Sequence, residues 1–414
     1  MLSTAPTMPD APATRWQIFS AAPHRLMFCA GTLQILAALA WWLAQLGARA
    51  YAAPLAWSAA PAWIHATLMV YGVFVFFVFG FLMTALPKWI GAKPVARADY
   101  LPAWAMLCSG WALFHLGIAS APQLLTTGLA VATAGILTGW LVLRRSLASR
   151  PSRRIGHPDL VLWTLPAAAF GMLLMAVGLA TTSADFVEAA LEVGLWAYLL
   201  PAFAIVAHRM LPAFTSMALN CPMPAAPMGL LYAMLAAALA HGLLAVAAGP
   251  AWTWPADVLL GAASLKLLLG WKPRHARSVP LLWSHYLAFG WLPLAAAMLA
   301  LQSGAAMAGL AVPGGHAALH ALGLGFFASL LAGMMTRVTR GHSGRSVYDD
   351  RHAWPLFLLL QLATVLRVAA EFLPGPAMNW TSVAAAAVAL LAYAIWAAHH
   401  LPMYFAPRAD GQPG

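Results

Sequence analysis

Fourteen histidines run through this chain of 414 residues, and they are the first place to look for chemistry. A neutral imidazole offers one lone pair to Fe, Cu or Zn and one N–H to a neighbour that fixes the ring. Five of them, His65, His115, His241, His316 and His320, fall at or near the same side of the hydrophobic segments. His316 and His320 are one helical turn apart and share a face, and His65 opens a different segment. Facing histidines from two helices of a bundle can grip a haem iron axially. His65 with His316 or His320 is therefore the candidate haem pair, and His65, His208, His241, His316 and His320 are the candidate metal ligands. The plain alternative is that histidines at helix ends reach for headgroups and water. Arg367 and Glu371 are four apart and can pair along one helix face; Arg367 can also hold a haem carboxylate, because a guanidinium grips carboxylates through two N–H groups. The three cysteines, Cys29, Cys108 and Cys221, show no CxxC and no disulfide framework. Met83, Met334 and Met335 read as packing, and the tryptophans at segment ends as an interfacial belt.

The elements that must position these rings are membrane helices. The chain is 63% hydrophobic and only 8% charged, with a mean hydropathy of +0.78, whereas a soluble domain carries about 25% charged residues. That excludes a soluble enzyme, a nucleic-acid module and a secreted disulfide scaffold. A bilayer span needs roughly 20 apolar residues. Twelve such runs are predicted, at 25–46, 63–86, 101–119, 123–143, 160–181, 188–211, 227–248, 254–271, 281–301, 316–335, 354–373 and 379–401. The eighth is the shortest. With a cytoplasmic N-terminus, twenty of the twenty-two Lys and Arg fall at the cytoplasmic side; Arg49 alone falls in an outer loop, and Arg367 lies inside the eleventh span. The net charge of +11 is then a topology signal, and not a footprint of nucleic acid. The expected architecture is an all-α integral membrane protein of twelve spans with both termini cytoplasmic. Residues 1–23 and 403–414 read as cytoplasmic tails around a single membrane domain, 24–402.

Three stretches carry a resemblance. Ile64-His-Ala-Thr-Leu-Met69 with Gly80-Phe-Leu-Met-Thr-Ala-Leu-Pro-Lys-Trp-Ile-Gly91 is similar to W-H-x-H-E-M followed by G-F-L-L-T-A-x-P-x-W-T-G. His208-Arg-Met-Leu-Pro-Ala-Phe-Thr215 resembles G-R-x-x-P-x-F-T. His320, Gly323, Gly325 and Met334-Met-Thr-Arg-Val-Thr-Arg-Gly-His-Ser-Gly-Arg345 resemble L-H…G…M-T-R-V-x-x-G-H-T-G-R, the most specific of the three. These are patterns of the NnrS family, bacterial membrane proteins of the nitric-oxide response. The resemblance implies a twelve-helix inner-membrane protein that binds haem b and copper and protects from, or responds to, nitric oxide. It covers about residues 24–400. Thr67 and Leu68 stand where the pattern has a second His and a Glu, which predicts a reduced cofactor set. The layout is also reminiscent of haem–copper oxidase catalytic subunits, with histidines on spans 2, 6, 7 and 10; that is an analogy of arrangement and licenses no function.

Two other readings stand beside this one. Twelve spans also suit a secondary transporter, although neither a repeat between halves nor a charge at the midplane is evident. A non-catalytic accessory of a respiratory or reductase partner is the third. The expected partners are the lipid bilayer and nitric oxide or a related small molecule.

Overall fold

The computed structural model describes residues 14–151, 155–223 and 226–412; most of the N-terminal tail read from the sequence, 1–13, lies outside them. A one-turn helix, Arg15–Phe19, capped by the Thr14 hydroxyl, precedes the bundle. Then follow α1 (Pro23–Ala50), α2 (Pro61–Ile90), α3 (Arg97–Ala119), α4 (Pro122–Ala148), α5 (His157–Thr181), α6 (Ala184–Leu219) and α7 (Met228–Ala248). The second half has α8 (Trp254–Gly270), then α9 (Pro280–Met307), α10 (Ala317–His342), α11 (Ala353–Ala370) and α12 (Gly375–Phe405), whose last turn is 3₁₀. No strand occurs among the described residues.

Eleven of these helices are long and apolar enough to cross a membrane. The other, α8, has 17 residues and spans about 25 Å, at the short limit for a bilayer; it is the span expected to be the shortest. Local chemistry sets the ends. Proline opens α1, α2, α4 and α9, where its missing N–H costs nothing. Gly91 at φ 67° stops α2 and Asn220 at φ 48° stops α6, both in the left-handed conformation that ends helices.

The two ends of the chain meet. The Arg25 guanidinium, at the start of α1, donates to the carbonyls of Tyr404 and Ala406 at 3.0 and 2.9 Å. Phe19 stacks on Phe405 at 4.5 Å between ring centroids. The start of α1 and the end of α12 therefore lie at one end of the bundle, as an even number of helices gives, and α8 makes the number twelve. The Lys and Arg clusters of the α2–α3, α4–α5, α8–α9 and α10–α11 connections lie at this same end, called the basic end below.

Helices α2, α10 and α6 form the centre, with 83%, 72% and 61% of their most apolar stretches buried inside the protein. Each of the three widens into a π-helical stretch: Leu68–Val73, Ala321–Ala328 and Val193–Leu199. A π stretch weakens the hydrogen-bond ladder and commonly sits at a functional site. Here each one begins within three residues of a polar side chain, His65, His320 and Glu192 respectively, all toward the end remote from the termini. At the periphery, α3 and α4 pack backbone to backbone: a Cβ on Gly110 would sit 2.5 Å from the Ala132 nitrogen and 2.7 Å from the Gly128 oxygen. Without water to drive helices together, such close van der Waals approach is what small residues provide in a membrane.

Candidate functional site

At the remote end, α2 and α10 bring His65 and His320 into one electrostatic neighbourhood with Arg367 of α11. His65 stacks face to face on Trp42 of α1, centroids 3.9 Å apart and planes 13° from parallel. That stacking fixes the ring plane, yet Nδ1 is buried with no hydrogen-bond partner among the described residues. A buried nitrogen without a partner loses its hydration and receives nothing back.

His320 is held differently. Its Nδ1 lies 2.9 Å from the His316 carbonyl oxygen, which can only accept. Nδ1 therefore carries the proton, and in the neutral ring Nε2 keeps its lone pair. This is the usual device that orients an imidazole for ligation. The turn supplying that carbonyl is itself tethered: the His316 backbone N–H donates to Glu371 Oε2 at 3.0 Å, and Gln302 Nε2 donates to the Gly315 carbonyl at 3.1 Å. Glu371 pairs through its other oxygen with Arg367 Nη2, so the pairing read from the i, i+4 spacing is present. Arg367 Nη1 remains buried and unpartnered among the described residues. The His316 side chain is exposed; its contribution is the backbone on which His320 is hung.

The other histidines singled out from the sequence are placed elsewhere. His208 is buried near the basic end, where His157 Nε2 meets its Nδ1 at 2.8 Å and the Pro227 carbonyl meets its Nε2 at 3.3 Å. Because the carbonyl only accepts, Nε2–H donates to it, and a neutral His208 then accepts from His157. Both nitrogens are occupied. His241 lies at the remote end but in a separate cluster: Nδ1 meets Asp257 Oδ1 at 2.6 Å, the ring stacks on Trp196 at 3.7 Å, and Thr253 donates to Asp257 Oδ2 at 3.0 Å. Of the five candidate metal ligands, the fold thus brings together His65 and His320, with His316 beside them in the same turn. Among the described residues, no three His, Cys, Asp or Glu side chains converge as a metal cage.

Residue types and spacing do not single out Trp42, the Glu371–His316 tether or the π stretches. Nor do they mark His285. His285 is 1% exposed, with Nδ1 tied to the Leu281 carbonyl at 2.6 Å and Nε2 without a partner among the described residues. Gly333 makes room for it, since a Cβ there would lie 2.8 Å from its Cε1.

The sequence model of the NnrS protein family matches residues 18–408. This chain belongs to the NnrS family. No curated protein matches it. Membership makes it a multi-pass membrane protein of a family of the nitric-oxide response. The two departures from the NnrS pattern now have a structural meaning. The Thr67 hydroxyl donates back to the Trp63 carbonyl at 2.7 Å, a satisfied intrahelical bond. Leu68 is fully buried in apolar packing at the start of the π stretch. Neither offers a ligand atom, so on α2 the site rests on His65.

Proposed function

We propose that this protein binds a b-type haem at the remote end of the bundle and uses it in the nitric-oxide response of the bacterial inner membrane. The observation that carries the reading is three nitrogens in one electrostatic neighbourhood that no described residue engages: His65 Nδ1, His320 Nε2 and Arg367 Nη1. His65 and His320 would hold the haem from two central helices, and Arg367 would hold a propionate. Haem iron, when present, supplies a centre that binds nitric oxide. The protein's own part is to hold the rings. Trp42 fixes the His65 plane, the His316 carbonyl fixes the His320 tautomer, and Glu371 keeps the Arg367 charge tolerable inside the membrane while leaving one N–H face free. Copper, the second cofactor implied by the resemblance, is given no ligand set here. A respiratory or reductase partner is proposed as the source or destination of electrons.

The test is an absorption spectrum of the purified protein, with metal analysis, with and without nitric oxide. A Soret band that shifts on addition of nitric oxide is expected. Colourless protein from haem-replete cells would sink the proposal. Substrate-dependent ion flux in proteoliposomes, with no bound cofactor, would favour a transporter instead.

A further inference from the structure

The basic end holds a second group of uncommitted polar atoms. His24 of α1 and His342 of α10 lie ring against ring, centroids 4.6 Å apart. His24 is 3% exposed, and its Nδ1 has no partner among the described residues. Arg25 follows His24 in the chain, Arg408 Nη1 donates to the His342 carbonyl at 3.4 Å, and the charge of Lys88 also acts on both rings. Arg25 is itself 3% exposed, and its guanidinium reaches two carbonyls but, among the described residues, no carboxylate. Arg408 is the one member with an acid, Asp410. Three cations and two histidines thus crowd one spot with a single carboxylate between them. Of the three cations only Arg25 is buried, while Lys88 is exposed and Arg408 sits at the rim; their summed positive field draws an anion to the mouth.

The same three helices continue into an apolar crevice. One turn inward from His24 is Phe28; one and two turns inward from His342 are Val338 and Met335; about two turns inward from Lys88 are Leu82 and Phe81. All five line a crevice of about 60 Å³ with almost no polar surface. A cationic mouth above an apolar slot is complementary to one chemistry, an anionic head on a hydrocarbon tail. We propose that the His24–His342 cluster and the crevice beneath it form a binding site for an anionic phospholipid, with the phosphate among Arg25, Lys88 and Arg408 and an acyl chain along Phe28 and Met335. Basic groups at a membrane face attract anionic lipid in general; what is specific here is the buried, unpartnered His24 and the slot aligned with it. The site is separate from the proposed haem pocket and does not depend on it.

The experiment uses the full chain, purified in non-ionic detergent and stripped of lipid, melted with added phosphatidylglycerol, phosphatidylcholine or inorganic phosphate. Phosphatidylglycerol at about a hundredfold over its Kd should raise Tm by about 3 °C, with little effect from the other two. Lys88→Gln with Arg408→Gln, both at the rim, should remove most of that shift, and His24→Ala should weaken it. Arg144→Gln with Arg145→Gln, on α4 at the same end, should leave it intact. Equal shifts with phosphatidylcholine, a full shift with inorganic phosphate alone, or equal loss in the α4 pair would each overturn the proposal. So would a Soret-absorbing adduct abolished by His24→Ala and retained by His65→Ala, which would give the cluster to haem.

Discussion

Two histidine pairs in this bundle face the same problem and solve it in opposite ways. His157 and His208 bond to each other, and the Pro227 carbonyl closes the chain; the pair is complete as it stands. His65 and His320 are positioned with equal care, by Trp42 and by the His316 carbonyl, yet each is left with a nitrogen that no described residue answers. The first pair is bonded through its nitrogens, the second is held from behind. The difference teaches how to separate structural from ligand-binding histidines in a membrane protein: the informative atom is the nitrogen that the surrounding elements orient and do not use.

The contrast can be broken most directly through cofactor content. His65→Ala and His320→Ala should each lower haem per protein by about tenfold or more, a loss in the range seen when a metal site is disrupted, whereas His208→Ala and His241→Ala should retain it, read from the Soret absorbance against protein. If His208→Ala bleaches the protein and His65→Ala does not, the comparison is wrong. Next in size is Glu371→Gln. It removes the counter-charge of Arg367 and leaves one amide oxygen to serve both Arg367 and the His316 N–H, and should cost about 3–5 kcal/mol of stability in detergent melts. Replacing both partners, Arg367→Met with Glu371→Leu, should recover most of that stability without restoring a cation for the propionate. Gly110→Leu, far from either pair, should cost about 1–3 kcal/mol by forcing α3 and α4 apart, with haem content unchanged; a fall in haem there would mean the remote site depends on peripheral packing.

The smallest expected effect concerns pH. Burial opposes ionisation of Asp350, in the α10–α11 loop, but hydrogen bonds from His400 and the His352 N–H, with the charges of His400 and Arg340, hold its carboxyl at about 2, below the ordinary 3.8. A carboxyl depressed on folding stabilises the fold above its ordinary pKa, and that contribution, about 1–2 kcal/mol, fades as pH falls from about 4 toward 2. Asp350→Asn should flatten the acid limb of the melting curve in that window, and an unchanged limb would assign the acid sensitivity to another group.

Much of this was readable in the amino-acid order. The spans follow from runs of apolar residues between proline, glycine and charge, and even the shortness of α8 is visible, because Trp254 and Trp271 bracket so few residues. The Arg367–Glu371 pair was legible because i, i+4 spacing on a helix is a local rule. The choice of His320 over His316 as the oriented ring was not, since it turns on a carbonyl at the mouth of α10 and on Glu371, 55 residues away. The π stretches were hidden for another reason: an added residue in a helical turn leaves the apolar pattern of Leu68–Val73 or Ala321–Ala328 unchanged. The bond of Asp257 to His241 crosses between helices, and no periodicity records it.

The bonds from Arg25 to the Tyr404 and Ala406 carbonyls join residues 379 and 381 positions apart. In biosynthesis this places the closing step last. The first helix enters the bilayer carrying a guanidinium whose final partners do not yet exist, and it waits through eleven further insertions before the last turn of α12 reaches it. Lengthening or trimming the chain near Tyr404 would therefore be felt at the beginning of the bundle, in whether α1 is ever locked in place, and less by the helix that was edited.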